Sequence, residues 1–299
     1  MAIKTILLGI GNIGAIYDIN KKIGITHSSV LQKNKNFEII AAIDKNSKKR
    51  KLFEKNYKVK SYKNFNKING INSAKLLVVT FKIKINYLEK IVKNNKFKSI
   101  LFEKPFDYNQ SEVLKIKDLL IKKKIKFYIN FQRNYSPLFK NMIKKIKKKD
   151  IGKNIKIFCF FSKKFIVNGI HFLALFLNLS KKINYFKKIF NDFYFVKLEK
   201  IDIYFLNTNK KNFNYNAFEI FGSKGKISLS SRPEILTYYK LTNDKIFPKY
   251  KVLKKHEIQK SRIDVQKYIY DEIYLNLNNK NMFDKKFNEK YFNFLKKYR

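Results

Sequence analysis

The sequence predicts an α/β chain of two units. The first is a parallel sheet with helices on both faces, and the second is an α+β unit on an open, mainly antiparallel sheet. Three observations predict it. Short apolar runs alternate with helix-period segments in the first part of the chain. Later runs succeed one another without intervening helices, which favours antiparallel pairing. A G-x-G-x-x-G loop, Gly9-Ile10-Gly11-Asn12-Ile13-Gly14, directly succeeds the first apolar run, the position of a dinucleotide-binding turn.

Strand-like runs cover residues 4–8, 38–43, 75–80, 99–102 and 126–130, with helical segments at 28–33, 48–55, 85–94 and 111–123 between them. In the last helix Val113, Ile116, Leu119 and Leu120 recur at helical spacing. A parallel sheet takes its ligands at the carboxyl ends of its strands. Gly9, Asp44, Thr80, Glu103 and Asn130 stand at those ends.

The glycine loop has a mechanical logic. Gly9 allows the tight turn, Gly11 lets a pyrophosphate approach the backbone, and Gly14 permits the next segment to pack closely on the strand. Asn12 and Ile13 complete the cofactor-binding loop. Asp44 can accept hydrogen bonds from the adenosine ribose hydroxyls, which favours NAD. NADP stays open, because Lys45, Lys48, Lys49 and Arg50 are near enough to receive a 2′-phosphate. Asp44 lies 30 residues beyond Gly14, where roughly 20 is usual. The excess falls in residues 17–26, read as a polar insert.

The second unit begins with a Lys-rich helix over 138–149, a strand over 155–161 and a short apolar helix over 170–177. Strand-like runs come next at 193–198, 201–207, 216–221, 226–230 and 236–241, with a hairpin turn at Gly222-Ser223-Lys224-Gly225. Two helices, one around Val265, Ile269, Glu272 and Ile273 and one over 287–298, end the chain and are expected to pack back on the first unit. The division is read as residues 1–123 for the nucleotide domain and 124–299 for the substrate and oligomerisation domain.

Composition narrows the function. The 299 residues are 45% hydrophobic, enough for two packed cores, and carry a formal net charge of +45. Only five of the 67 basic residues are Arg, and the lysines are spread along the whole chain. That pattern gives salt-labile adhesion to nucleic acid rather than specific recognition. The single cysteine, Cys159, sits in a strand-like apolar run and excludes an intrachain disulfide or a cysteine metal cluster. No metal is expected. No apolar segment reaches the roughly 18 residues of a membrane span, and no cleavage site comes after the N-terminal apolar run, so the chain reads as cytoplasmic.

A second motif, Glu103-Lys104-Pro105, ends the strand at 99–102 and holds a lysine at the sheet's carboxyl edge. Further along stand Asn130-Phe131-Gln132-Arg133-Asn134-Tyr135-Ser136-Pro137, Gly169-Ile170-His171, and the segment 218–227 around Gly222 and Gly225. In this order the motifs resemble the Gfo/Idh/MocA family, the glucose–fructose oxidoreductase and inositol dehydrogenase group. The resemblance implies NAD(P)-dependent hydride transfer on sugars, polyols or nucleotide sugars, and a homo-oligomer, dimer or tetramer, formed through the second sheet. It implies that Lys104 binds the substrate hydroxyl or nicotinamide edge and can move a proton. It makes His171 the acid/base, Arg133 a partner for a substrate carboxylate or phosphate, and Asn130 and Tyr135 further substrate-side candidates. Glu103 and Thr80 join the cofactor side.

The chain departs from the pattern at two acids near the histidine, where it has Val167 and Ala174, and after Thr80, where Phe81 stands. The same fold could then serve as a non-catalytic NAD(H) sensor or scaffold. His27 reads as structural, and His256 is given no role.

Overall fold

The computed structural model describes residues 1–21, 23–68, 71–180, 182–190, 192–208, 215–230, 233–262, 265–278, 291 and 293–295. The first sheet comprises β1 (Ile3–Leu8), β2 (Phe37–Ile43), β3 (Ser61–Tyr62), β4 (Leu76–Val79), β5 (Ser99–Phe102) and β6 (Lys126–Ile129). All pairs are parallel, in the order β3-β2-β1-β4-β5-β6. The order reverses at β1, so the carboxyl ends of β1 and β4 open the crevice in which doubly wound sheets bind nucleotides. Strands β4 and β5 are buried on both faces, so β4 reads as an unbroken apolar run and β5 is apolar after Ser99.

Helices cover both faces. α1 (His27–Lys33) and α2 (Ser47–Tyr57) lie on one side and share a core of Leu7, Val30, Leu31, Phe53 and Tyr57. α3 (Ile85–Asn94) and α4 (Gln110–Lys122) lie on the other, with Leu88, Ile91, Val113 and Ile116 buried. Asn109 and Glu112 close a reciprocal capping box at the start of α4.

α5 (Pro137–Lys147) leads to the second sheet, with proline in its first turn, where the missing N–H costs nothing. That sheet comprises β7 (Lys156–Phe161), β8 (Ile183–Phe190), β9 (Phe193–Leu198), β10 (Ile201–Asn207), β11 (Ala217–Gly222), β12 (Gly225–Ser230), β13 (Ile235–Asn243) and β14 (Lys251–Lys260). The order is β14-β13-β12-β11-β7-β10-β9-β8, antiparallel except for β7 with β10. One face buries Ile157, Cys159, Phe161, Ile203, Phe205 and Phe218 against α6 (Ile170–Phe176), which is apolar almost all round. The tight β11–β12 turn agrees with the sequence reading, with Gly222 paired to Gly225.

α7 (Lys267–Asn278) returns to the first sheet and buries Ile269, Tyr270 and Ile273 beside Phe37 and Leu7. Most of the helix expected over 287–298 lies outside the described residues; Tyr291, Phe294 and Leu295 are buried in the main core. The strands β3, β8 and β14 were not legible. β3 has two residues, and the other two are edge strands whose exposed lysines break the alternating pattern, a common defence of sheet edges. Among the described residues, no helix is long and apolar enough to cross a membrane.

Candidate functional site

The glycine loop leaves β1 with Gly9 at φ 104°, a region that favours glycine. A Cβ on Gly14 would stand 2.4 Å from the Gly9 carbonyl oxygen, so the turn closes on itself there. A Cβ on Gly11 would meet nothing within 4 Å. The space over Gly11 is therefore open for a pyrophosphate, and the loop fits the group for which the motif is named.

No long helix comes directly after the loop. Residues 11–17 form a tight turn in which Ala15 N donates to Gly11 O at 2.9 Å and Tyr17 N to Asn12 O at 3.0 Å. The insert over 17–26 is pinned by buried Asp18, which accepts from Ile25 N and Thr26 N, each at 2.7 Å, and from the Thr26 hydroxyl at 3.0 Å. Burial opposes the Asp18 charge, but these bonds outweigh it and hold its pKa below the ordinary carboxylate value. Thr26 then caps α1 by accepting from Ser29 N.

A cavity of about 400 Å³ lies at this crevice, lined by Gly9, Gly11, Asp44, Lys45, Lys49, Lys63, Thr80, Phe81 and others. Asp44 accepts from Ile10 N and Asn46 N, both at 2.8 Å. The bond from Ile10 ties the end of β2 to the glycine loop, and the bond from Asn46 closes the local turn into α2. Thr80 donates to Gly9 O at 3.0 Å. Arg50 does not line the cavity; its guanidinium donates to the carbonyls of Asp44 and Lys45.

A second cavity of about 430 Å³ lies beyond the loop, lined by Ile13, Tyr17, Glu103, Lys104, Gln132, Arg133, Asn168, His171, Asn216, Glu234 and Val265. The Lys104–Pro105 peptide is cis. Burial, with Arg133 and Lys163 beyond it, holds the Lys104 pKa below the ordinary amine value, although neighbouring Glu103 pulls the other way. Burial, then the positive charges of Lys104 and Arg133, hold His171 well below the ordinary imidazole value. Its ring lies edge-on to Phe131 at 5.8 Å.

Not every expected site residue lines a cavity. Asn130 is buried behind the wall and donates to Glu103 Oε1. Tyr135 packs against the core under α1, α2 and α7. Asn12 donates to the Tyr17 hydroxyl. Glu103 lines the second cavity rather than the first. Arg133 is already paired, its Nε 3.0 Å from Glu234 Oε1 and its guanidinium 5.0 Å from the Phe172 ring centre. Glu234, Gln132, Asn168 and Asn216 were missed by sequence reading. Gln132 and Asn168 had a signal, since each lies inside or beside a quoted motif; Asn216 and Glu234 had none. His27, read as structural, joins the site from below as a partner of Glu103.

A glycine loop at the switch point of a parallel sheet, tied to an acid at the next strand, defines a dinucleotide-binding domain as a class. Comparison supplies the family. Residues 4–131 match the Gfo/Idh/MocA model, described as an oxidoreductase family with an NAD-binding Rossmann fold, and this domain belongs to that family. The resemblance drawn from the motifs is thereby borne out over the first domain, which has the NAD-binding Rossmann fold of that oxidoreductase family.

Solved structures share the whole architecture. One is a protein from Desulfitobacterium hafniense assigned as an NADPH-dependent oxidoreductase, at 13% identity, covering 98% of this chain and 92% of that one, with TM-score 0.76. Another is a 3-ketoreductase from Actinomadura kijaniata in complex with NADP and TDP-benzene, at 10% identity, covering 99% and 95%, with TM-score 0.75. A third is the dehydrogenase MviM from Clostridium difficile, at 14% identity, covering 97% of each chain, with TM-score 0.70. Identities this low carry the fold alone. No curated protein matches the chain.

Proposed function

We propose that the protein transfers hydride between a nicotinamide cofactor and a hydroxyl or keto carbon of a sugar, polyol or nucleotide sugar. One observation carries the reading: Lys104 and His171 line the same cavity, and Ile13 of the glycine loop forms part of its wall. When bound, the nicotinamide would supply the hydride donor or acceptor. Gly9, Gly11, Asn12, Ile13, Gly14, Asp44 and Thr80 would hold the dinucleotide, with Glu103 and Lys104 at its nicotinamide end.

In the oxidation direction, Lys104 Nζ or an imidazole nitrogen of His171 takes the hydroxyl proton while the carbon loses hydride with its electron pair and becomes a carbonyl. Both depressed pKa values favour the unprotonated form that such a base needs. With Val167 and Ala174 in place of acids, His171 gains no carboxylate from those positions, so Lys104 is the main proton carrier. Arg133, Gln132, Asn168 and Asn216 surround the substrate with donors. Asp44 favours NAD, while Lys45, Lys49 and Lys63 leave NADP admissible; the Actinomadura relative was solved with NADP.

The protein would act in the cytoplasm as a homo-oligomer. Support for assembly comes from the outer face of the second sheet, where Phe158 stacks on Tyr204 at 5.1 Å and Phe193 and Phe195 flank the same ring. Calorimetric titration with NADH and NADPH at moderate salt, then a panel of sugars and nucleotide sugars, tests the reading. Micromolar binding with turnover is expected, and binding of neither dinucleotide overturns it. Val167 and Ala174 favour a second reading, a sensor or scaffold, for which binding without turnover across the panel is the signature.

A further inference from the structure

Glu103 precedes Lys104, yet its carboxylate is engaged elsewhere. Buried His27 lies with Nε2 2.8 Å from Glu103 Oε1 and Nδ1 2.6 Å from the Tyr270 hydroxyl. Asn130 Nδ2 donates to the same Glu103 oxygen. An ionised carboxylate can only accept, so Nε2 carries a proton toward Glu103, and the Tyr270 hydroxyl can donate to Nδ1. The chain delivers His27 as the first residue of α1, behind the insert that Asp18 clamps. Tyr270 comes from α7, with its ring edge-on to Phe37.

None of the ion pairs among the described residues reaches Lys104. The charged groups acting on its ammonium are Glu103, Arg133 and Lys163, with His171 on the same cavity wall. Arg133 is occupied by Glu234. An unrestrained carboxylate one residue away would be drawn to the ammonium, since opposite charges in a partly buried site attract strongly.

The geometry points to His27 as a positioning residue: backed by Tyr270, it holds Glu103 away from Lys104 and leaves the Lys104 ammonium unpaired at the substrate cavity. The inference rests on Lys104 as the proton carrier proposed above. Releasing Glu103 would give the ammonium a counter-ion and make Lys104 a poorer base.

Competitive amine labelling of the full chain, read for Lys104 by mass spectrometry across pH, tests this without a substrate. In His27→Leu, the pH midpoint of Lys104 labelling rises by about one pH unit or more as Glu103 turns to it. His27→Gln keeps an N–H for Glu103 and returns the midpoint toward wild type. Tyr270→Phe preserves the buried ring and gives a smaller rise, which keeps the test valid if His27→Leu fails to fold. In a Glu103→Gln background, His27→Leu moves the midpoint no further, because the two act in one chain. An unchanged or lowered midpoint in the folded variants, or a rise that survives Glu103→Gln, overturns the role. Absence of turnover with the shift intact would count against the oxidoreductase reading and leave His27's role standing.

Discussion

The cavity at Gly9 and the cavity at Lys104 meet at the glycine loop, but the chain assembles them differently. Every residue lining the first falls between Leu8 and Tyr87, most of them at strand ends of one sheet. The second draws on residues from Ile13 to Val265. The first is shaped by backbone: the turn at Gly9, the close approach at Gly14 and the two N–H groups that fix Asp44. The second is shaped by pairs of side chains, Arg133 with Glu234 and Glu103 with His27 and Asn130. A backbone-built site changes only if the fold changes. A site built of side-chain pairs can be retuned one substitution at a time, which suits a constant cofactor and a variable substrate.

The largest effect expected is in the second cavity. Lys104→Ala should lower turnover by about 10²-fold or more, the usual worth of a positioned acid or base. The pH profile identifies the carrier. In the oxidation direction the base must be unprotonated, so kcat/KM falls as pH drops through its pKa. A limb somewhat below the ordinary lysine range points to Lys104, and one well below the ordinary histidine range points to His171. A wild-type rate in Lys104→Ala moves the proton to His171, where His171→Ala should then carry the loss.

The first cavity is probed by two glycines with opposite surroundings. In Gly14→Ala the new Cβ collides with a backbone oxygen, so both melting temperature and NADH affinity should fall, at a cost of about 1–3 kcal/mol. In Gly11→Ala nothing in the protein is displaced, so melting should hold while NADH affinity drops. Equal losses of stability in the two would show that Gly11 is constrained by packing rather than by ligand.

Legibility in the sequence divides along the same line. The parallel sheet, the glycine loop, Asp44 and Thr80 could be read because they depend on residues close in sequence and on periodicity. Lys104 and His171 were legible as motif members. Glu234 was not, since a glutamate at the start of a strand carries no mark of the arginine 101 positions earlier that it meets in space. His27 was read as structural, and it is buried, but its partners were not legible for a related reason. The insert separates it in sequence from the glycine loop, and the clamp by Asp18, with the bonds from His27 N to Ile13 O and from Ser28 N to Gly14 O, brings it under Glu103.

Glu234→Gln should sharpen the contrast with a smaller effect. It removes the carboxylate that occupies Arg133 and leaves the guanidinium over Phe172 for an anionic ligand. Relative affinity for glucuronate over glucose should rise about tenfold, the worth of one charge-assisted hydrogen bond. Competition calorimetry measures the ratio, and no change would mean that Arg133 is a structural pair rather than a substrate contact.

The smallest effect expected lies in the insert that joins the two cavities. Asp18→Asn keeps an acceptor for Ile25, Thr26 and the Thr26 hydroxyl but loses the charge that strengthens those bonds, at a cost of about 1 kcal/mol. The sign with pH is fixed by the lowered folded-state pKa. The stability that Asp18 contributes is present above the unfolded carboxylate pKa and is lost as pH falls through the lower folded value. Chemical denaturation at neutral pH and in acid should therefore show wild type and Asp18→Asn converging as the solution is acidified. A gap that stays constant with pH would assign the clamp to hydrogen-bond geometry alone. His27 would then owe its place under Glu103 to shape rather than charge.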